Sequence, residues 1–146
     1  MNSNPLAISQ HPPRTAAIAL LERENLPASD LTDLHLKRFF YTGGSDAPTG
    51  MVGLEVYGAV ALLRSLVVNA DARSAGIGTA LIARAEDHAS SHGVQSLYLL
   101  TTTGEAFFAR RGYHRIDRAV APAAIRSTRE FAGLCPPSSA FMFKRL

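Results

Sequence analysis

The run Leu66-Val67-Val68, followed by a short loop and then Arg73-Ser74-Ala75-Gly76-Ile77-Gly78-Thr79, constrains this chain most. A β-branched strand here passes through glycines into a helix. The first N–H groups of a helix have no intrahelical acceptor and sit at the positive end of its dipole, so they favour a phosphate. Gly76 and Gly78 remove side chains where backbone must approach oxygen closely. Arg73 adds a forked positive charge. The run has neither the Gly-Lys-Ser/Thr of a P-loop nor the third glycine of a dinucleotide fingerprint.

The flanking pattern gives the remaining elements. Thr15–Glu24 suits a short amphipathic helix with Thr15 as its cap, and Ser29 or Asp30 suits the cap of a second helix carrying Leu31, Leu34 and Leu36. Arg38–Thr42 reads as a strand and Gly43–Gly50 as a loop. Met51–Tyr57 and Val60–Val68 form a hairpin turning at Gly58. Gly78–Ser91 is a helix, Gln95–Thr101 a strand, Glu105–Arg111 a short helix and Tyr113–Ile116 a strand. Pro122 can start a helix running to about Leu134, and Ala140–Lys144 closes the chain as a strand. The expectation is an α/β fold: residues 1–14 an arm, residues 15–146 one domain, with helices on both faces of one sheet.

Composition narrows the function. With 146 residues, about half apolar, the chain is sized for one packed domain. No apolar run approaches the length of a membrane span, and the first residues lack a signal-peptide pattern. The single cysteine, Cys135, has no internal partner, so a reducing cytoplasm is expected. The net charge is +3, with Arg110, Arg111, His114, Arg115 and Arg118 close together. No aromatic residues interleave there as a base-stacking surface requires, so an anionic small ligand, or a solvated basic face, explains them better than nucleic acid.

R-x-x-G-x-G after a strand, followed by a helix, a strand and Ala106-Phe107-Phe108-Ala109-Arg110-Arg111-Gly112-Tyr113, resembles the GNAT acyltransferases over roughly Val52 to Ile116. The resemblance implies a mixed, mostly antiparallel sheet with a splayed parallel pair, Val60–Val68 and Gln95–Thr101, and acetyl-CoA as the bound coenzyme. It implies that Leu66, Val67 and Val68 offer a backbone edge to the pantetheine, and that Arg73, Ser74, Ala75, Gly76, Ile77, Gly78 and Thr79 hold the pyrophosphate. Thr103, Phe107, Phe108 and Arg110 would complete the coenzyme site. A backbone N–H of Val67 or Val68 is the expected oxyanion donor. LLRSLVV, LYLLTTTGEAFFARRGY and the tail APAAIRSTREFAGLCP are also similar to short-chain arsenic-resistance N-acetyltransferases. That likeness implies a small-molecule amine acceptor, an amine-bearing organoarsenical. A homodimer is common in such a fold.

The chain departs from that pattern at the chemistry. Phe108 stands where many relatives carry a tyrosine that protonates the leaving thiolate, and Thr103 stands where they often carry asparagine. The strand AVALLRSLVV holds no carboxylate to serve as base, which favours an aromatic or poorly basic amine. Arg64 shares strand parity with Leu62 and Leu66 and needs a partner if buried: an anionic substrate group, or a structural carboxylate such as Glu55. Glu55 is a water-mediated base or that counter-ion. Thr102 sits at the expected splay, and Thr103 suits the cap of the helix at Glu105. Arg129 and Glu130 do not share a helix face, so one of them can face the site. Cys135 is either an arsenic-binding thiol or a small buried hydrophobe. His35, His88 and His92 show no metal spacing, and no metal is expected. Two other readings stay open: acetylation of a protein or peptide, and binding of acyl-CoA without catalysis.

Overall fold

The computed structural model describes residues 7–73 and 76–146. Among these residues seven strands form one sheet: β1 (Ile8–Gln10), β2 (Phe39–Gly44), β3 (Ala47–Tyr57), β4 (Val60–Val68), β5 (Ser96–Thr101), β6 (His114–Arg115) and β7 (Ala140–Arg145). Their order is β1-β2-β3-β4-β5-β7-β6. All neighbours are antiparallel except β4 and β5, the expected parallel pair.

Helices cover both faces. Helix α3 (Ile77–Ser91) buries Leu81, Ile82, Ala85 and Ala89 against Val52, Leu54, Ala61 and Leu63. On the opposite face, α1 (Arg14–Arg23) packs Ala17, Leu20 and Leu21, at helical spacing, against Phe39, Met51 and Val67. Leu36 of α2 (Asp33–Leu36) joins that cluster. Further along the same face, Ile125 of α5 (Ala123–Arg126) meets Leu62 and Phe141. The remaining helix, α4 (Glu105–Ala109), places Phe108 in the α3-side core.

Several elements differ from expectation. Ile8–Gln10, inside the expected arm, is an edge strand paired with Phe40–Thr42. Helix α1 starts one residue early, behind Pro13, and Thr15 does not cap it. Thr32, not Ser29 or Asp30, caps α2, in a reciprocal capping box with His35. The expected loop 43–50 is mostly strand. A register shift after Thr42 and the positive φ of Gly43 let pairing continue to Gly44↔Ala47. The late helix is broken: the Thr128 hydroxyl donates to the Ile125 carbonyl at 2.7 Å and accepts from the Phe131 N–H, interrupting the ladder. The chain then makes a wide π-type turn at Glu130–Leu134.

Two irregularities position the site. Pairing between β4 and β5 covers only Val60↔Ser96, Ala61↔Leu97 and Leu62↔Tyr98, and the strands part beyond it. In β4, Arg64 pairs with Gly53 while Val67 pairs with Met51, so Ser65 and Leu66 face one residue across the ladder. Ser65 takes φ 59°, the left-handed conformation of a β-bulge.

Candidate active site

Where β4 and β5 part, a cleft of ≈ 690 Å³ opens. Leu63–Val68 form one wall and Leu99–Gly104 the other, with Phe107 and Phe108 of α4 beside them. One end is bordered by Glu24, at the close of α1, and by Arg73; the other by Glu130, Leu134, Cys135, Pro136 and Ser139.

At the first end, Gly76 is the N-cap of α3 with φ 76°. A Cβ there would meet nothing within 4 Å among the described residues, so there glycine is needed for the conformation alone. A Cβ on Gly78 would lie 3.2 Å from the Phe107 ring, so this glycine lets α3 approach α4. Ile77 is buried in the core beneath α3. Ser74 and Ala75 lie outside the described residues. Arg73 donates to the Val68 carbonyl at 3.1 Å and is ion-paired with Glu24. Arg111, which the sequence placed in the basic cluster but not at the coenzyme, reaches Thr79 Oγ1, donates to the Phe107 carbonyl at 2.7 Å and stacks on the Phe107 ring. Arg110, expected at the coenzyme, is exposed at the end of α4 and does not border the cleft.

At the other end, Arg64 is 3% exposed and all three of its guanidinium nitrogens meet protein oxygens. Nε donates to Ser65 Oγ (3.0 Å), and Nη1 to Asp30 Oδ2 (2.6 Å) and Glu55 Oε2 (2.7 Å). Nη2 donates to Asp30 Oδ1 (2.8 Å) and lies 3.1 Å from Glu130 Oε2. No nitrogen is left for a substrate anion, so the structural-carboxylate alternative describes this geometry. Glu55 is counter-ion to Arg64, accepts a hydrogen bond from Tyr57, and does not border the cleft. The parity expectation fails at the bulge: Leu66 packs into the α3-side core while Arg64 remains on the Leu62 face.

Three carboxylates around one guanidinium shape the titrations. Burial alone would raise Asp30, but hydrogen bonds and charge from Arg64 hold its carboxyl below the ordinary range. Glu130 is pushed up by burial and by the charges of Asp30 and Glu55, against the pull of Arg64. Cys135 Sγ lies 3.7 Å from Glu130 Oε1, and burial beside that carboxylate pushes the thiol up to about 12. Of the late-tail pair, Glu130 faces inward and Arg129 is exposed. Thr102 and Thr103 border the cleft, but Gly104 rather than Thr103 caps α4, its N–H donating to Thr101 Oγ1 at 2.8 Å. The fold also gathers ligand atoms of Asp30, His35 and Glu55 within 4.8 Å, a set that chain order hid. Arg64 and Tyr57 engage these carboxylates and Thr32 engages His35 Nδ1, so the guanidinium already serves as their cation. No helix among the described residues is long and apolar enough to cross a membrane.

Known proteins share this architecture. The chain is 33% identical over 92 residues to an uncharacterised N-acetyltransferase of Chlorobaculum tepidum, a match covering 62% of this chain and 59% of that protein. It superposes on N-acetylglutamate synthase from Neisseria gonorrhoeae, solved with coenzyme A and N-acetyl-glutamate, with a TM-score of 0.79 at 22% identity. That match covers 96% of this chain and 35% of the synthase, so the chain spans less than two thirds of either relative. A Mycobacterium tuberculosis protein solved with coenzyme A gives a TM-score of 0.74 at 19% identity, over 96% of this chain and 99% of that one. The model of the acetyltransferase (GNAT) family matches residues 9–116, most of the sheet together with Gly76, Gly78 and the splay; the chain belongs to this family.

Proposed function

We propose that this chain transfers the acetyl group of acetyl-CoA to the amine of a small molecule, and that the molecule is an amine-bearing organoarsenical. The carrying observation is the cleft itself. It runs from Arg73, near the glycine-capped N-terminus of α3, along a β4 edge that has no strand partner beyond Leu62 among the described residues, to an end closed by the turn at Glu130–Leu134 and by Cys135–Ser139. Such an end encloses a small acceptor rather than an extended peptide. The arsenic-bearing acceptor rests on the sequence likeness of the tail.

In this reading the α3 N-terminus, with Arg73 to Thr79, holds the pyrophosphate, and Arg111 steadies Thr79. The pantetheine lies along Leu66, Val67 and Val68, with Thr103, Phe107 and Phe108 opposite. The amine attacks the thioester carbonyl; the C–N bond forms, the C–S bond breaks, the electron pair leaves on sulfur, and the proton that nitrogen sheds ends on the released thiolate. The N–H of Val67 or Val68 receives the developing oxyanion, a contribution of about 3–4 kcal/mol where such donors are removed elsewhere. Thr102 and Cys135 lie on the acceptor side. Phe108 offers no proton, so the thiolate departs without a general acid on α4, which an ordinary thiol pKa near about 8.5 permits.

The test is free-thiol release from acetyl-CoA with aminophenyl arsenicals in both oxidation states, an arsenic-bearing amino acid, plain aniline and a polyamine. Release with an arsenical but not with its arsenic-free counterpart supports the full reading. Release with all amines alike leaves the acetyltransferase and removes the arsenic. Phe108 favours a second reading, acyl-CoA binding without catalysis; measurable coenzyme binding with no release from any amine would establish it.

A further inference from the structure

We propose that Glu130 binds the acceptor as its ammonium and takes the proton from it, so that the acceptor is a basic alkyl amine rather than an aryl amine. This rests on the acetyl-transfer reading and deepens it.

Among the described residues, the cleft lining contains no histidine, lysine, tyrosine or aspartate, and its two carboxylates are Glu24 and Glu130. Glu24 is paired with Arg73 at the cradle end. The Cys135 thiol holds its proton far above neutral pH and already points it at Glu130. Glu130 is therefore the proton acceptor at the closed end. Its link to the thioester site is short: it touches Arg64, and Arg64 Nε holds the side chain of bulge residue Ser65, which itself lines the cleft beside Leu66. β4 itself has no base, but the tail supplies one from across the cleft.

The charges favour a cation. With every carboxylate ionised, Asp30, Glu55 and Glu130 face Arg64 alone, leaving a buried excess of negative charge. The other groups in reach are the Cys135 thiol, the Tyr57 hydroxyl on Glu55, His35 near Asp30, and Arg118, whose guanidinium donates to the Ser139 carbonyl and stacks on Phe131. None supplies a second cation against Glu130, and an alkylammonium does. Burial holds the Glu130 proton affinity above that of an exposed carboxylate, which moves it toward the range of a working base. The amine gives up two protons in all: one to Glu130 before attack, the second to the departing thiolate. Glu130 then returns its proton to solvent.

The experiment compares wild type, Glu130→Gln and Asp30→Asn, each first shown to bind coenzyme A by calorimetry. In wild type, kcat/KM for n-butylamine rises with pH through the ionisation of Glu130. Glu130→Gln is expected to lose that acid limb and about 10²- to 10⁴-fold in rate with n-butylamine, and much less with aniline, which arrives neutral. Asp30→Asn removes a neighbouring negative charge and should shift the limb to lower pH without abolishing it. An unchanged butylamine-to-aniline ratio in Glu130→Gln overturns the proposal. Binding of n-butylamine to the coenzyme A complex supplies a readout without turnover. A loss of at least 10-fold in Glu130→Gln supports the ammonium site even where wild type acetylates nothing, in which case the acetyl-transfer reading fails alone. Equal binding by both proteins sinks the proposal.

Discussion

Asp30 and Glu130 hold the same guanidinium, yet they affect stability with opposite signs. The Asp30 pKa is lowered on folding, so this residue contributes stability that is present above its unfolded value near 3.8 and is lost as pH falls through the folded value. The Glu130 pKa is raised from 4.5, so the folded state prefers its protonated form. Stability is therefore lost as pH rises from 4.5 through the folded value. Asp30→Asn should cost about 3 kcal/mol at pH 7, because it breaks a two-oxygen contact to a buried arginine, and the deficit should shrink toward pH 3. Glu130→Gln should melt no lower than wild type at pH 8. Thermal melts across pH check both, and a large destabilisation in Glu130→Gln would show that the carboxylate is a structural prop. A side chain kept against its own folding cost fits a role in function.

At the scale of elements, the β4 bulge and the α3 N-terminus each depend on one backbone conformation. Gly76→Ala forces a Cβ into φ 76° with no steric clash, so the expected loss is the conformational one alone, about 1 kcal/mol, together with weaker coenzyme binding. Gly53→Ala behaves differently: its Cβ would sit 2.2 Å from the Phe39 ring, so stability should fall by more while the folded fraction keeps its affinity. Chemical denaturation and calorimetry separate the two. The same elements show what chain order could tell. The helix start at Gly76, the β3–β4 hairpin and the parallel pair were legible because glycine spacing and apolar runs are local signals. The bulge was not: nothing in AVALLRSLVV marks Ser65 as left-handed, and one extra residue moved Leu66 off the face assigned to Arg64. Glu130 could be placed only as one of two tail candidates, because its partners, Asp30, Glu55 and Arg64, come from distant segments. Arg110 and Arg111 differ by one helical step, and without the packing of Phe107 against α3 the pattern cannot say which reaches Thr79.

Across the whole molecule, the sheet is two parts, β1–β4 and β5–β7–β6, joined by three residue pairs and by the core beneath α3. A ligand lying in the gap touches both parts and binds only the folded chain. At coenzyme A one hundred times its Kd, mass action adds about 2.7 kcal/mol, which for a chain of this size raises Tm by about 5–10 °C. If Arg73 holds the pyrophosphate as proposed, the Glu24–Arg73 ion pair opposes this binding in the free protein. It ties the end of α1 to Arg73 and, in the proposed reading, sets a carboxylate beside the pyrophosphate site. Glu24→Gln frees Arg73 and removes the like charge. An exposed pair is worth about 0.2–1 kcal/mol, so coenzyme A should bind about 1.5- to 5-fold tighter to the variant, with Tm in its absence nearly unchanged. The gain should shrink as salt screens both the pair and the ligand. Weaker binding by Glu24→Gln would mean that Glu24 orients Arg73 toward the phosphates instead of competing with them, and the cradle would then include the end of α1.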